Sequence, residues 1–582
     1  MNDAIQGAAM DRWIEGYRVE INPAGQVLDL SLPEETTWSE DELGEPELTP
    51  TPAIGAGFVS GAMLAHKAKQ FDDGLYAAVE VGLQSGWKHL IDKRGLLYRL
   101  MRELKNAEAG PGRTAAQVIF GGARLGGLDM DPPGRLDAAV TQAVADFLAD
   151  PRLGKPIGFY TWSDELSRIF RQDRMLQQPL RGAEELAALA EEMSRSPELV
   201  RVYSSCLALI SGLTNPSAGG MPNLLDLVDA WNKGDRAALK AEYRIWPPSV
   251  SPETELVKQL DVMKRTSGNF DIATEMAIRI RDGRLDLSPK DNSGWYAYTL
   301  WALEPLVVPD RTPEASRLIM DGEYIKSLEG LFRACLAMSR ETHIKQLEIP
   351  LASAEPPDTD ARPQIPIKSE LTVEPLYTYY LRRAVGYRFV RNVLEKHLGV
   401  EWMEMARRPG PGQESRLPLD EELRRMEALF VGAYAASARE LGMPVTLPDG
   451  LELLGSGRGV DEDAAMFLAW AEMGGDADLG QDARVMVPVY YDVSKGMTKV
   501  WAVLGWAQRT LEVRFANLPE VRVFDASGRD ITNKVDLLPR EARYSLAYPV
   551  TAEAYVHRLL NRDEFRAHCD RYKTSSSILK NL

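Results

Sequence analysis

Cysteine is scarce. Only Cys206, Cys335 and Cys569 occur in 582 residues, an odd number spread too widely to staple a small secreted fold. A reducing, cytoplasmic setting is therefore expected. Long apolar runs are missing too. The stretches 206–213 and 294–308 are too short or carry a charge, Glu304, whereas a bilayer crossing takes about 20 apolar residues. Residues 1–16, with Asp3, Asp11 and Glu15, lack the basic start and apolar stretch of a signal peptide. No membrane partner is expected. Positive charge is in deficit, with 68 Lys plus Arg against 85 Asp plus Glu and a formal charge of -17. That is the wrong sign for neutralising many phosphates, so nucleic acid is not an expected partner.

Signature motifs are also absent. The chain holds no Gly-x-x-x-x-Gly-Lys loop, His-Glu-x-x-His pair, Cys-x-x-Cys pair or Gly-x-Ser-x-Gly elbow. No cofactor and no metal are expected, although an enzyme holding a cofactor through residues dispersed in sequence stays open as a third reading. The loop Gly455-Ser456-Gly457-Arg458-Gly459 precedes a helical stretch that opens with Asp461, Glu462 and Asp463. Carboxylates there already satisfy the helix dipole and repel a phosphate. Asp476, Asp478 and Asp482 alternate as calcium ligands do, but Val487 stands where a closing Glu belongs, so an acidic turn is the plainer reading.

What the chain does have is an ordinary globular balance, 45% hydrophobic and 26% charged residues. Apolar residues recur at helical spacing over 62–82, 87–104, 136–148, 163–175, 183–193, 198–211, 223–231, 252–264, 295–303, 313–340, 377–397 and 419–441. Ser163, Ser196 and Ser251 each stand before an acidic first turn, as N-caps do. After Asp482 the period switches to two, over 485–491, 498–504, 510–515, 521–524 and 543–548, and a helical pattern returns at 551–572. The expected fold is mainly α, an irregular multi-helix domain with a small antiparallel β module near the C-terminus. Its parts are an extended acidic N-terminal arm over 1–54, with no core expected at 22–54, and a helical domain over 55–482. That domain carries a Pro-rich loop at 350–368 and reads as one unit or two fused halves. The β module follows over 483–550, then a C-terminal helix and tail over 551–582.

Three stretches carry candidate chemistry. In Arg340-Glu341-Thr342-His343-Ile344-Lys345-Gln346, helical spacing pairs Glu341 with Lys345 and sets His343 near Arg340 and Gln346, an acid–base cluster suited to proton transfer. The plainer reading is an exposed helix end with a solvated ion pair. Tyr160 and Trp162 lead into Arg168, and Glu374 precedes Tyr377, Tyr379 and Arg383. Rings beside carboxylates and guanidinium groups suit a sugar or peptide cleft, and equally suit the core of a large helical protein.

The order Gly158-Phe159-Tyr160-Thr161, the 295–308 stretch, Glu341 to Gln346, a Pro-rich loop and Val373-Glu374-Pro375 resembles a large bacterial family of helical proteins known only as a domain of unknown function. The likeness spans 158 to about 505. The family carries an Arg-His-Asp-Thr element before its Lys-Gln pair, where this chain has Glu341-Thr342-His343. The resemblance implies a mostly helical fold with a β-containing end and transfers no activity.

Two functions are expected from these residues. The first is a metal-independent hydrolase acting on a carbohydrate or peptide-like substrate. Glu341, His343 and Glu374 would be its catalytic groups, and Tyr160, Trp162, Lys345, Tyr379 and Arg383 would bind substrate. It requires the three stretches to converge on one pocket, with carboxyl oxygens roughly 5 to 10 Å apart for glycosidic chemistry. The alternative is a non-enzymatic helical scaffold that binds a protein partner.

Overall fold

The computed structural model describes residues 10–14, 17–33, 46–53, 57–88, 90–110, 112–262, 271–348, 371–411, 415–448, 459–532, 537 and 539–582. The Pro-rich loop and the Gly455 to Arg458 loop lie outside the described residues. The helices in chain order are α1 Gly61–Ser85, α2 Lys93–Glu103, α3 Ala115–Leu125, α4 Gly134–Ala149, α5 Pro151–Gly154, α6 Asp164–Leu176, α7 Ala183–Arg195, α8 Pro197–Leu213, α9 Leu224–Asn232 and α10 Pro252–Val262. They continue with α11 Ile272–Arg281, α12 Trp295–Val307, α13 Gly322–His343, α14 Tyr377–Leu398, α15 Val400–Met405, α16 Leu419–Glu440, α17 Val460–Glu472, α18 Arg562–Tyr572 and α19 Ser575–Lys580. The strands are β1 Met10–Ile14, β2 Tyr17–Asn22, β3 Val27–Ser31, β4 Leu318–Met320, β5 Val485–Asp492, β6 Met497–Asn517, β7 Glu520–Phe524 and β8 Ala542–Val556. The protein is mainly α, with a small, largely antiparallel β module.

Local signals set many of these boundaries. Ser163 and Ser196 accept hydrogen bonds from Leu166 N and Leu199 N at the starts of α6 and α8, and Ser251 accepts from Thr254 N beside α10. α1 stops at Gly86, whose φ of 82° suits glycine alone.

The β module is not confined to 483–550. β6 pairs with β5 near its start and with β3 near its end, while β8 runs along most of its other side. Strands from the N-terminal region are thus built into the sheet, which corrects the extended arm. Leu28 and Leu30 of β3 are fully buried, and β1, β2 and β7 form a second three-stranded sheet. The acidic, Pro-rich flanks of 22–54 hid a short Val27-Leu28-Asp29-Leu30 alternation. Two expected strands, 498–504 and 510–515, are one, because Gly505 takes up the irregularity in the β6–β8 register instead of ending the strand. Residues 551–556 are strand, not helix, and α18 starts only at its Asn561 cap. The run 313–340 divides as well: Pro313–Arg317 is a 3₁₀ turn, β4 follows, and α13 begins after the Asp321 cap.

Both faces of the sheet are covered. Val485, Val487, Val489, Trp501 and Val503 point into the main core, whereas Met486, Val500, Ala502 and Leu504 pack with Phe565, Cys569 and Ile578 of α18 and α19. α13 packs on β5, β6 and β8, and α1 lies behind it, flanked by α2 and α6. Of the 25 residues of α1, 22 are buried, so this helix runs through the middle of the molecule.

Candidate functional site

Lys69, Asp72, Asp73, Tyr76 and Glu80 recur on α1 at the spacing of a solvent-facing stripe. All five are buried. Burial of so many charges is tolerable only if each meets a counterion, and the partners come from elements far apart in sequence.

Two closed rings of alternating charge result. In the first, Lys69 Nζ lies 2.8 Å from Asp73 Oδ1 and 2.8 Å from Glu341 Oε2, and Arg562 closes the circuit at 2.6 Å from Asp73 and 2.5 Å from Glu341. In the second, Asp173 of α6 receives Lys93 at 2.6 Å and Lys345 at 2.5 Å, and Glu80 receives Lys345 at 2.5 Å and Lys93 at 3.5 Å. Each ring holds two cations and two anions. Burial pushes the carboxyls of Asp73 and Glu341 up, but Lys69 and Arg562 outweigh it and hold both below the usual carboxylate range. Asp173 is drawn down to about 2 by Lys345 and Lys93 against the same burial.

The predicted residues distribute over these surroundings as follows. Glu341 is 1% exposed and its ion-pair partners are Lys69 and Arg562, not Lys345. The helical spacing breaks down because α13 ends at His343 and Ile344 to Gln346 form a turn, which sends Lys345 into the second ring. The exposed helix end is corrected by the same facts, since Arg340 through Gln346 are buried throughout. Arg340 bonds Glu253, which also accepts from Tyr296 at 2.8 Å.

His343 sits among the rings of Tyr76, Trp295 and Tyr296, with centroids 4.9 to 5.5 Å away, and its Nδ1 is 3.3 Å from Thr214 Oγ1. Burial, aided by the charge of Lys69, lowers its pKa to about 3. The imidazole is neutral at physiological pH, and the expected role in proton transfer near neutrality is not supported by these surroundings.

Glu374 does not join Glu341. Its carboxylate accepts from Gly61 N at 2.7 Å and from the Tyr324 hydroxyl at 2.7 Å, at the start of α1. Gly61 and the Lys69 to Asp73 turn are separated by roughly 12 to 18 Å of helix rise. Glu374 thus caps one end of α1 while Glu341 serves its middle, and the two carboxylates share no hydrogen-bond or ion-pair partner among the described residues.

The Tyr160 loop does reach Glu341. Gly158, at φ 62°, lies so close that an added Cβ would be 3.1 Å from Glu341 Cγ. Tyr160 is fully buried and donates to Glu80 Oε1 at 3.2 Å, beside Lys345. Trp162 is half-buried, with the Arg562 guanidinium 5.8 Å from its ring. Arg383 donates to Asp72 at 2.9 Å and to the Tyr387 hydroxyl at 2.7 Å, with Tyr379 buried on the same helix.

Lys69, Asp72, Asp73, Glu80, Lys93 and Arg562 were missed in the sequence. The only trace was a polar stripe on an otherwise Ala- and Leu-rich helix, which periodicity assigns to solvent. In the acidic turn Asp476 and Asp478 pair with Lys67, Asp478 also with Arg408, and Asp482 with Arg484. Among the described residues no group of three or more His, Cys, Asp or Glu side chains is disposed to hold a metal ion, and no helix is long and apolar enough to cross a membrane. No family model, curated protein or solved structure matches the chain.

Proposed function

We propose that the chain is a non-enzymatic helical scaffold that binds a protein partner, in preference to a hydrolase. One observation carries this reading: the ionisable groups expected to do chemistry are buried and already engaged, Glu341 and Lys345 in charge-balanced rings, Glu374 on Gly61 N and the Tyr324 hydroxyl, and His343 among aromatic side chains. A general acid or base must reach a substrate proton, within about 3 Å. For Glu341 that would mean displacing Lys69 or Arg562, and breaking such a buried pair costs about 3–5 kcal/mol. The rings also leave the formal charge of -17 untouched. An acidic body favours a partner with a basic face.

The test is thermal melting of Glu341→Gln, His343→Ala and Glu374→Gln, together with hydrolysis assays on chromogenic glycosides and peptides. A scaffold held by these groups melts several degrees lower in each variant, and no hydrolysis depends on them. Hydrolysis lost in Glu341→Gln at an unchanged Tm would overturn the proposal.

A further inference from the structure

α17 has two unlike faces. Its inner face, with Phe467 and Trp470, is buried against α16, where Gly432 permits so close an approach that an added Cβ would stand 2.6 Å from Phe467 Cβ. Its outer face is open along the whole helix. Met473, the helical residue that caps its end, is 75% exposed, more than any other large apolar side chain among the described residues, and Leu468 is exposed as well. At 3.6 residues per turn these two project on either side of Ala465 and Ala469, both exposed. The alanines thus floor a shallow apolar trough walled by Leu468 and Met473, and the packed inner face holds it in place.

Charge selects the occupant. Asp461 and Glu462 stand at the start of the trough and Glu472 at its end, all exposed. Asp461 pairs with Arg439, whereas Glu462 and Glu472 have no ion-pair partner among the described residues. Asp461 and Glu462 also suit the helix N-terminus. Glu472 does not, because a carboxylate in the last turn opposes the helix dipole and no basic residue shares that turn. A second copy of the chain docked about a two-fold axis would set one acidic end on another, whether the two helices ran parallel or antiparallel. An anionic lipid surface would be repelled in the same way. We infer that this trough docks a basic amphipathic helix of a partner protein. Apolar side chains of that helix would seat over Ala465 and Ala469, between Leu468 and Met473, and its Lys or Arg side chains would reach Glu462 and Glu472. The inference rests on the scaffold reading and gives it a surface and a class of partner.

The test titrates the full chain into a fluorescein-labelled synthetic peptide of about 18 residues, with Leu along one helical face and Lys on its flanks. A scramble of the same composition, with no apolar face, is the reference. Anisotropy is expected to show the amphipathic peptide bound at least about 10-fold more tightly than the scramble. Leu468→Ser and Met473→Ser should each weaken that binding about 10-fold at an unchanged Tm. Glu462→Gln combined with Glu472→Gln should weaken it several-fold at low salt and less at high salt. Val493→Ser, an exposed apolar position between β5 and β6, should leave it as it is. Equal binding of the two peptides, no binding of either, or full binding by Leu468→Ser and Met473→Ser overturns the assignment. So does a dimer in sedimentation that Met473→Ser dissolves, since the face would then join copies of this chain. Such a failure leaves the scaffold reading standing, because that reading falls only to hydrolysis that depends on Glu341.

Discussion

Arg562 of α18 and Asp73 of α1 lie 489 residues apart in sequence and meet at 2.6 Å in the interior. Their contact joins the helix on the outer face of the sheet to the helix at the centre of the core. Removing Arg562 leaves Asp73 and Glu341 facing Lys69 alone. Arg562→Ala is expected to destabilise the protein by about 3–5 kcal/mol, read from urea unfolding. A loss below about 1 kcal/mol would show that the first ring does not hold these elements together.

Glu341 and Arg562 should be energetically coupled. In a double-mutant cycle of Glu341→Gln and Arg562→Met, the pair is expected to depart from additivity by more than about 1 kcal/mol. Glu341→Gln with Lys93→Met, drawn from different rings, should be closer to additive.

Gly158 is expected to reject a side chain. Its φ of 62° disfavours any other residue, and an added Cβ would press on Glu341 Cγ at 3.1 Å. Gly158→Ala should cost about 1–3 kcal/mol. Gly528→Ala meets open space at φ 79° and should be milder, carrying the backbone term alone. Comparing the two Tm values separates crowding from conformation.

Stability should depend on pH in two opposed ways. Burial raises Glu440 and Glu553 to about 7. Each then favours its protonated form in the folded chain, so its contribution is complete below the ordinary carboxylate pKa and is lost as pH rises toward and through 7. Asp73, Glu341 and Asp173 are depressed, so theirs is present above the ordinary value and lost as pH falls below it, for Asp173 down to about 2. Urea unfolding from pH 4 to pH 8 should show a maximum on the acidic side of neutrality. Glu553→Gln should flatten the limb between about pH 5 and 7.

His343 should stay silent over the same range. With its pKa lowered to about 3, its ring signals in NMR are expected not to move between pH 5 and 8. A His343 resonance titrating near 6.5 would place the side chain in contact with water.

The helical body and the β module were legible because one surface of most elements repeats at 3.6 or 2, and the serine caps at Ser163 and Ser196 marked where helices start. Val27–Ser31 was not, because five residues between acidic, Pro-rich flanks are too short to outweigh composition. Thr551 to Val556 read as helix because Ala552, Ala554 and Glu553 carry little strand preference, and pairing with β6 overrode it. The site failed for a different reason. Lys69, Asp73 and Glu80 look like a wet face until Glu341, Arg562 and Lys345 are known to arrive there, and contacts across hundreds of residues leave no local spacing to read.

The same long-range closure has a consequence for biosynthesis. Domains fold as they emerge, at about 5–20 residues per second, so roughly 25–100 s separate the appearance of Asp73 from that of Arg562. Once Glu341 has appeared, 221 residues before Arg562, the nascent protein carries an acidic pair, Asp73 and Glu341, without its second cation. α1 must therefore wait, hydrated or held by a holdase, before it can settle at the centre of the molecule.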